Sequence, residues 1–377
     1  MKPIQMVDLK NQYEHIRDEM DQAMEQVIQQ TAFINGPQVR EFAGQLADYL
    51  QVEHVIPCAN GTDALQIALM ALELEPGDEV ITPDFTFIST VEVVKLLGLK
   101  PVLVDVDPRY FTLSPDKVRE AITPRTKAIV PVHLYGQCAE MEQLMELAEK
   151  HGLKIIEDTA QAIGADYYRQ GKIQKAGTLG DIGCTSFFPS KNLGAFGDGG
   201  AVFTRDPDLA DKIRTIANHG SHQKYYHTRV GVNSRLDTLQ AAILKVKLAY
   251  LDQYSRARQQ AAAFYDQALA GIEQLQLPQV QPHSSHIYHQ YTLVLSDQVQ
   301  RDDLREYLKD RQIPTMVYYP VPMHQQPAYQ IEESPAKGPF EVSRRLSQKV
   351  LSLPMHTELD QEQLQYMTDT LKKYFQS

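Results

Sequence analysis

The sequence predicts an α/β protein with a large domain, built on a mostly parallel sheet covered by helices, and a smaller C-terminal α+β domain. Short, continuously apolar runs alternate with helical stretches between about residues 52 and 204. This alternation is typical of parallel strands buried on both faces. Residues 236–275 have the pattern of one long helix or two. Beyond Pro278 the elements no longer alternate, which indicates a separate, smaller unit.

The N-terminal segment is predicted to be helical. Ile16, Met20, Met24 and Val27 recur at helical spacing among charged residues. An apolar stripe of this kind packs on the body of the protein or on a partner subunit. A second helix is expected over about residues 38–50.

The alternating region supplies the predicted sheet of the large domain. In such sheets the ligand lies at the carboxyl ends of the strands, so functional residues are expected directly after the apolar runs. The predicted strands are 79–82, 101–106, 128–132, 154–157, 184–188 and 201–204, and the predicted helices are 64–74, 90–97, 115–121 and 141–151.

The C-terminal region is expected to form an α+β domain. We assign residues 1–250 to the large domain, including the N-terminal helix, and residues 251–377 to the small domain with its bridging helix. The small domain is predicted to contain strands at 287–295 and 313–319 and helices at 301–311, 341–350 and 361–374.

Composition excludes several classes of protein. The chain of 377 residues has 37 basic and 48 acidic residues, a net charge of -11, which argues against nucleic-acid binding. No run of ~18 apolar residues predicts a membrane span, and the first residues lack a secretory leader. Cys58, Cys138 and Cys184 are isolated, which excludes a disulfide scaffold and suits a reducing cytoplasm. We expect a cytoplasmic protein.

Three segments carry residues with recognisable chemistry. Asp158 ends an apolar strand, and Lys191 follows another apolar run, beside four glycines at positions 194 to 200. Gly61 and Thr62 open a predicted helix. A helix N-terminus presents free N–H groups and the positive end of the helix dipole, which together bind phosphate.

Together these parts describe a site for pyridoxal phosphate. That cofactor needs a lysine to bind its aldehyde, an acid on its pyridine nitrogen and a cradle for its phosphate. Lys191 is expected to bind the aldehyde, and Asp158 to keep the ring nitrogen protonated. The residues expected to hold the phosphate, stack on the ring or reach its hydroxyl are Gly61, Thr62, Ser186, Phe87 and Gln161.

The sequence resembles the DegT-type sugar aminotransferases, fold type I enzymes that aminate keto-sugars attached to a nucleotide. The resemblance covers nearly the whole chain. Its carriers are NGTDAL (60–65), PGDEVITP (76–83), EDTAQ (157–161), TSF (185–187) with Lys191, and GVNSR (231–235). The segments HLYGQC (133–138), FFPSK (187–191) and RVGVNSRLDTLQ (229–240) are similar to one branch, which aminates UDP-2-acetamido-2-deoxy-3-oxo-glucuronate to a 3-amino sugar of bacterial O-antigen.

The resemblance implies a homodimer with active sites at the interface and glutamate as the amino donor. Asn233 matches a residue that reaches the phosphate from the neighbouring subunit. Lys191 favours transamination, because relatives with histidine at this position are dehydratases. The residues implied to lie in or near the substrate pocket are His219, Arg229, Arg235, Tyr319 and His324.

Alternatives remain open within and beyond this family. The substrate could instead be a dTDP-, UDP- or GDP-linked 4-oxo or 3-oxo 6-deoxy sugar, and a regulatory relative without turnover is a further alternative. Arg235 could pair with Asp237 or another local acid. The histidines of segment 219–227 are too loosely spaced for a metal site, so we expect a substrate-binding loop there and no metal.

Overall fold

A seven-stranded sheet forms the centre of the larger part of the protein. The computed structural model describes residues 2–329 and 339–376. The described strands are β1 His54–Cys58, β2 Glu79–Pro83, β3 Lys100–Val104, β4 Thr126–Ile129, β5 Lys154–Asp158, β6 Asp166–Arg169, β7 Lys172–Lys175, β8 Ile182–Ser186, β9 Gly200–Thr204, β10 Ser221–Gln223, β11 Tyr226–His227, β12 Leu275–Gln276, β13 Tyr291–Leu295 and β14 Val350–Leu353.

Helices flank this sheet and continue into the C-terminal part. The described α-helices are α1 Leu9–His15, α2 Arg17–Gln30, α3 Pro37–Leu50, α4 Gly61–Ala71, α5 Ser89–Leu96, α6 Pro115–Ala121, α7 Met141–His151, α8 Pro207–Ala217, α9 Thr238–Leu269, α10 Arg301–Lys309, α11 Glu341–Lys349 and α12 Gln361–Gln376, with short 3-10 turns at Leu134–Gly136, Met323–Gln325 and Pro327–Tyr329.

The central sheet is mostly parallel. Its strand order is β1-β9-β8-β5-β4-β2-β3. The pairs from β3 through to β8 are parallel, whereas β9 is antiparallel to both of its neighbours. This arrangement confirms the predicted fold class, and it places the ends of β5 and β8 side by side.

Alternating side chains bury both faces of the sheet. On β2, Val80 packs into a cluster with helices α4, α5 and α8, whereas Ile81 packs with α6 and α7 on the other face. Helices α3 and α9 cover the second face near β1 and β9, where Val55 and Phe203 are buried. Each such side chain contributes roughly 1.5–3 kcal/mol when fully buried. The sheet is therefore a rigid support for the residues at its edge. Among the described residues, no helix is long and apolar enough to cross a membrane.

A three-stranded antiparallel sheet of β12, β13 and β14 forms the core of the C-terminal part. The strand predicted over 313–319 is wrong. Only Met316 pairs there, in an isolated bridge with Ser352. Pro314 and Pro320 flank that bridge, and a proline has no N–H to donate to a ladder. The strand that does form, β14, follows α11 directly and was not predicted, since the predicted helix reached only its first residue, Val350.

One helix connects the two parts. Residues 236–275 were expected to form one helix or two, and the structure shows a single helix, α9, of 32 residues. At 1.5 Å per residue its length is about 48 Å. Leu244 packs beside the large sheet, and Tyr265 packs in the core of the small sheet. Helix α9 thus runs across residue 250, and the boundary placed there stays a prediction.

A carboxylate near the large sheet caps a helix of the C-terminal part. Asp105 follows β3 and accepts hydrogen bonds from the backbone N–H groups of Val342 (2.9 Å) and Ser343 (2.8 Å) and from the Ser343 hydroxyl (2.6 Å). Phe340, the residue before α11, makes no side-chain capping bond. Asp105 thus satisfies N–H groups that a helix start leaves without an intrahelical partner.

Candidate active site

A cavity of about 470 Å³ opens at the carboxyl ends of the strands of the large sheet. This volume lies in the range usual for small-molecule sites. The cavity collects residues from distant parts of the chain, as the strand order requires. The sequence-predicted residues that line it are Gly61, Thr62, Phe87, Asp158, Gln161, Ser186, Lys191 and Tyr319.

Asp158 lies at the end of β5 with its carboxylate held in a fixed orientation. Its Oδ2 accepts a hydrogen bond from the Thr90 hydroxyl (3.0 Å), and its Oδ1 accepts one from the Ala160 N–H (3.1 Å). Burial raises the pKa of Asp158, while these two hydrogen bonds and the nearby Lys191 oppose that rise. A buried carboxylate of this kind is suited to accept a hydrogen bond from a protonated ring nitrogen.

Lys191 follows β8 on a turn closed by its own N–H and the carbonyl of Phe188 (2.8 Å). Burial lowers the pKa of Lys191 to about 8, although the charge of Asp158 opposes the shift. Among the described residues, no side chain or carbonyl hydrogen-bonds its amine. At pH 7 about one-tenth of such amines are neutral and nucleophilic, roughly 200 times the fraction of an ordinary lysine.

The start of α4 forms an anion cradle beside Ser186. Asn60 caps this helix, because its Oδ1 accepts a hydrogen bond from the N–H of Asp63 (2.8 Å). A Cβ added at Gly61 would lie 2.6 Å from the Cβ of Ser186, so only glycine permits this approach. The hydroxyl of Thr62 also lies here. Free N–H groups at a helix start together with nearby hydroxyls bind phosphate.

Two aromatic side chains and an amide also line the cavity. The rings of Phe87 and Tyr319 lie 6.1 Å apart. Gln161 accepts a hydrogen bond from the N–H of Tyr135 (2.8 Å) and donates one to the Tyr319 hydroxyl (2.9 Å). Burial raises the pKa of Tyr319, which therefore stays a neutral phenol. The amide of Gln161 is thus fixed in orientation toward the cavity.

These residues fit pyridoxal phosphate. An unpaired, partly neutral Lys191, a buried Asp158 and a helix start without a Cβ at Gly61 meet in one cavity. They supply the amine, the acid and the phosphate cradle that the cofactor needs. When bound, the cofactor supplies an electron-accepting ring and a carbon that carries the amino group.

The remaining predicted residues lie outside the cavity of the single chain. Asn233 and His219 are exposed, and Arg229 pairs with Glu73 at 3.2 Å. Arg235 is half-buried, and the alternative of an ion pair with Asp237 is not seen among the described residues. Their roles toward the phosphate and the substrate stay predictions.

His324 also lies outside the cavity and has a structural partner. Its Nδ1 lies 2.7 Å from Oδ2 of the fully buried Asp84, and its backbone N–H donates to Oδ1 at 2.8 Å. Its ring stacks on Phe340 at 4.7 Å. His324 thus fastens the segment after Tyr319 to the end of β2. In residues 2–329 and 339–376, no group of three His, Cys, Asp or Glu could hold a metal ion.

Several cavity residues were missed by sequence reasoning. Thr90 lies on a predicted helix, and its position after a strand was the one available signal. No sequence pattern indicated the contribution of the segment around His289, because it precedes a strand of the small sheet. The cavity residues missed include Ser89, His289 and Gln290, and behind them Thr90 and Tyr135.

Comparison with known proteins shows the family of the chain. Residues 14–372 match the DegT/DnrJ/EryC1/StrS aminotransferase family. The chain is 48% identical to a UDP-2-acetamido-2-deoxy-3-oxo-D-glucuronate aminotransferase of Pseudomonas aeruginosa, over 95% of this chain and 96% of that protein. It is 46% identical to a UDP-N-acetyl-3-dehydro-alpha-D-glucosamine 3-aminotransferase of Acidithiobacillus ferrooxidans, over 98% and 97%.

A solved structure extends the comparison to the cofactor. The structure of NtdA from Bacillus subtilis with bound PMP has a TM-score of 0.89 and 32% identity, covering 99% of this chain and 83% of that one. PMP is the amino form of the cofactor for which the cavity is suited. The protein is thus a pyridoxal phosphate-dependent sugar aminotransferase, and the chain belongs to the DegT/DnrJ/EryC1/StrS aminotransferase family.

Proposed function

We propose that the protein transfers the amino group of glutamate to C3 of UDP-2-acetamido-2-deoxy-3-oxo-glucuronate. The 3-amino sugar would serve bacterial O-antigen or another cell-surface polysaccharide, and the reaction would take place in the cytoplasm. The observation that carries the aminotransferase chemistry is the meeting of Lys191, Asp158 and the start of α4 in one cavity. The relative from Pseudomonas aeruginosa supports the choice of substrate.

Each side chain of the cavity has a role in this reaction that follows from its chemistry. With the cofactor bound, the neutral amine of Lys191 would act as general base and would move a proton between the substrate carbon and the cofactor carbon. Asp158, held by Thr90 and Ala160, keeps the ring nitrogen protonated while negative charge develops. Gly61, Thr62 and Ser186 would hold the phosphate of the bound cofactor, Phe87 would stack on its ring, and Gln161 would contact its hydroxyl.

The charge of the substrates supports a homodimer. Glutamate has two carboxylates, and the nucleotide sugar has a diphosphate and a carboxylate. Among the described residues that line the cavity, Lys191 is the only lysine or arginine. We infer that Arg229, Arg235 and Asn233 of one subunit reach the cavity of the other, where guanidinium groups bind carboxylate and phosphate in a forked geometry.

A mixed-dimer experiment tests this shared site. Lys191→Ala and Arg235→Ala chains would each be inactive as homodimers. Refolded together, they would regain roughly a quarter of wild-type activity, because half of the dimers are mixed and each mixed dimer has one intact site. No recovery on mixing would place Arg235 in its own subunit's site, and an active Arg235→Ala homodimer would place it outside both sites.

A second candidate substrate is the 3-oxo form of UDP-N-acetylglucosamine, which the relative from Acidithiobacillus ferrooxidans is named for. It differs from the uronate in having a hydroxymethyl group in place of the carboxylate. Purified protein with pyridoxal phosphate and glutamate would be offered both sugars and a dTDP-4-oxo-6-deoxy sugar, and products would be identified by mass. We expect amination of the uronate at the highest kcat/KM. Preference for either other sugar would overturn the substrate assignment and leave the cofactor chemistry intact.

The alternative without turnover has its own test. A regulatory relative would show no product with any of the three sugars. The wild-type protein is expected to bind pyridoxal phosphate with visible absorbance and to lose that absorbance after Lys191→Ala. Bound cofactor without turnover of glutamate would favour the regulatory alternative.

A further inference from the structure

A second nitrogen base lies in the cavity beside Lys191. His289 is 6% exposed, and its ring lines the same cavity. It precedes β13 and belongs to the C-terminal part, whereas Lys191 belongs to the large sheet. Among the described residues that line the cavity, it is the only histidine.

The hydrogen bonds of Asn192 fix which nitrogen of His289 carries the proton. Asn192 donates from Nδ2 to the carbonyl of Ile287 at 3.2 Å, so its Oδ1 is the atom that faces Nδ1 of His289 at 3.1 Å. An amide oxygen only accepts, and Nδ1 must therefore donate. The other ring nitrogen, Nε2, is therefore an acceptor, and it accepts a long hydrogen bond of 3.5 Å from Nε2 of Gln290.

The backbone around His289 is held by Arg258 and by the segment at Gly136. Arg258 of helix α9 donates to the carbonyls of Tyr288 (3.2 Å) and His289 (3.4 Å). The carbonyl of Gly136 accepts a hydrogen bond from the N–H of Ile287 at 2.8 Å. A Cβ at Gly136 would lie 2.9 Å from the backbone nitrogen of His289, so the two segments are in close contact. The imidazole is therefore presented from a rigid support.

The ring is neutral. Burial lowers the pKa of His289 well below its ordinary value, and the cations that face it, Lys191 and Arg258, lower it further. A neutral imidazole whose lone pair receives only this long hydrogen bond remains a hydrogen-bond acceptor and is a poor proton carrier. It is also a suitable partner for an amine, since it adds no charge to the cavity.

We propose that His289 is a positioning residue whose Nε2 accepts a hydrogen bond from the Lys191 amine when the flexible lysine side chain turns toward it, in the states in which that amine is not bonded to the cofactor. The inference rests on the role of Lys191 given above. In each half-reaction the freed amine must point at the reacting carbon, and no other described group bonds it. Asn192, adjacent to Lys191 in the chain, couples the lysine turn to the same ring.

Three variants separate positioning from folding. His289→Leu removes the acceptor, and His289→Gln keeps an acceptor oxygen near the place of Nε2. His286→Gln is the matched control. His286 is equally buried in the same segment, accepts from the Tyr288 N–H at 3.0 Å and does not line the cavity.

The first readout is the rate at which cofactor-free protein takes up pyridoxal phosphate as a function of pH. This rate follows the neutral fraction of Lys191. An acceptor stabilises the ammonium form, so its removal in His289→Leu would lower the midpoint by roughly 0.5 pH or more. His289→Gln and His286→Gln would keep the wild-type midpoint. An unchanged midpoint in His289→Leu would overturn the proposal.

The second readout is the rate of the glutamate half-reaction, followed through the absorbance of the bound cofactor. We expect His289→Leu to slow it roughly 10- to 100-fold with little change in KM, in line with the loss of a positioned group. His289→Gln would recover most of the rate. Equal slowing in His286→Gln would show that the segment, and not the acceptor, matters. If wild-type protein failed to bind the cofactor, the function of Lys191 itself would be wrong.

Discussion

The hydroxyl of Thr90, on helix α5, donates a hydrogen bond of 3.0 Å to Oδ2 of Asp158 at the end of β5. The two residues are 68 positions apart in the chain. Because this bond favours the ionised carboxylate, Thr90 helps Asp158 to stay charged in a buried place where desolvation opposes the charge.

Replacing Thr90 by valine should therefore make the ionised form of Asp158 less stable without changing the shape of the site. The pKa of Asp158 would rise further, and the glutamate half-reaction would slow roughly 10-fold. Single-turnover absorbance measures this rate. Thr112→Val is the matched control, because the Thr112 hydroxyl is buried with no hydrogen-bond partner in the described structure. Equal slowing in both variants would contradict the role of Thr90.

Asp158→Asn should lower the activity of the protein and raise its thermal stability. Burial raises the folded-state pKa of Asp158 above its unfolded value, so the folded state loses stability as the pH rises through that interval. At pH 7 the asparagine variant avoids the buried charge, and the melting temperature of the cofactor-free protein would increase. The half-reaction would slow at least ~100-fold, because the ring nitrogen loses its carboxylate. A lower melting temperature of Asp158→Asn would contradict the expected cost of burying the charge of Asp158.

The lowered pKa of Lys191 predicts that the stability of the protein changes with pH in the direction opposite to the effect of Asp158. Its folded pKa of about 8 lies below the ordinary value of ~10.4, so the unfolded chain binds its proton more tightly. Stability of the cofactor-free protein should rise with pH between these two values. Lys191→Met would remove this rise, and the difference between the two melting curves isolates it. Lys154→Met, at an exposed ion pair with Asp181, should behave as wild type.

Two glycines provide a matched pair. Gly61→Ala would drive a methyl group against Ser186 and displace the start of α4. The dissociation constant for pyridoxal phosphate should increase at least ~10-fold. Gly44 lies in the interior of α3 with nothing within 4 Å of an added Cβ, so Gly44→Ala should stabilise the protein by roughly 0.5–1 kcal/mol. Cofactor titration and thermal melts would measure the two effects.

Arg258 should be among the most sensitive positions outside the cavity. Its Nη1 donates to the carbonyls of Tyr288, His289 and Met355. Arg258→Met would leave these buried carbonyls without that donor, at a cost of roughly 2–4 kcal/mol in the free energy of unfolding. Arg256→Met, on the exposed side of the same helix, should change it by less than ~0.5 kcal/mol. Denaturant titration of both variants would test the difference.

Sequence reasoning found the site residues that local patterns indicate, such as the end of an apolar run or the start of a helix. Asp158 and Lys191 end apolar runs, and Gly61 opens a helix, so their positions followed from the α/β order. The residues that were missed act through contacts across the chain. Asn192 and His289 are 97 positions apart, and only the closed fold places them together.

The errors in secondary structure have the same cause. The segment 313–319 has an apolar pattern, yet its pairing depends on which strand lies beside it. Met316 meets Ser352 for one bridge, and the flanking prolines prevent a longer ladder. Local pattern predicted six of the seven strands of the large sheet, whose two faces are buried, but it missed the edge strand β1 and helix α8.

The cap that Asp105 places on α11 has a consequence for engineering the molecule. A helix that begins in one half of the protein completes its first turn with an acid from the other half. The small sheet, moreover, shares its core with a helix rooted beside the large sheet. A cut near residue 250 would interrupt helix α9 and would leave the start of α11 without its capping carboxylate. The two halves are therefore poor candidates for transplantation or for separate expression, and a functional graft would have to move them together.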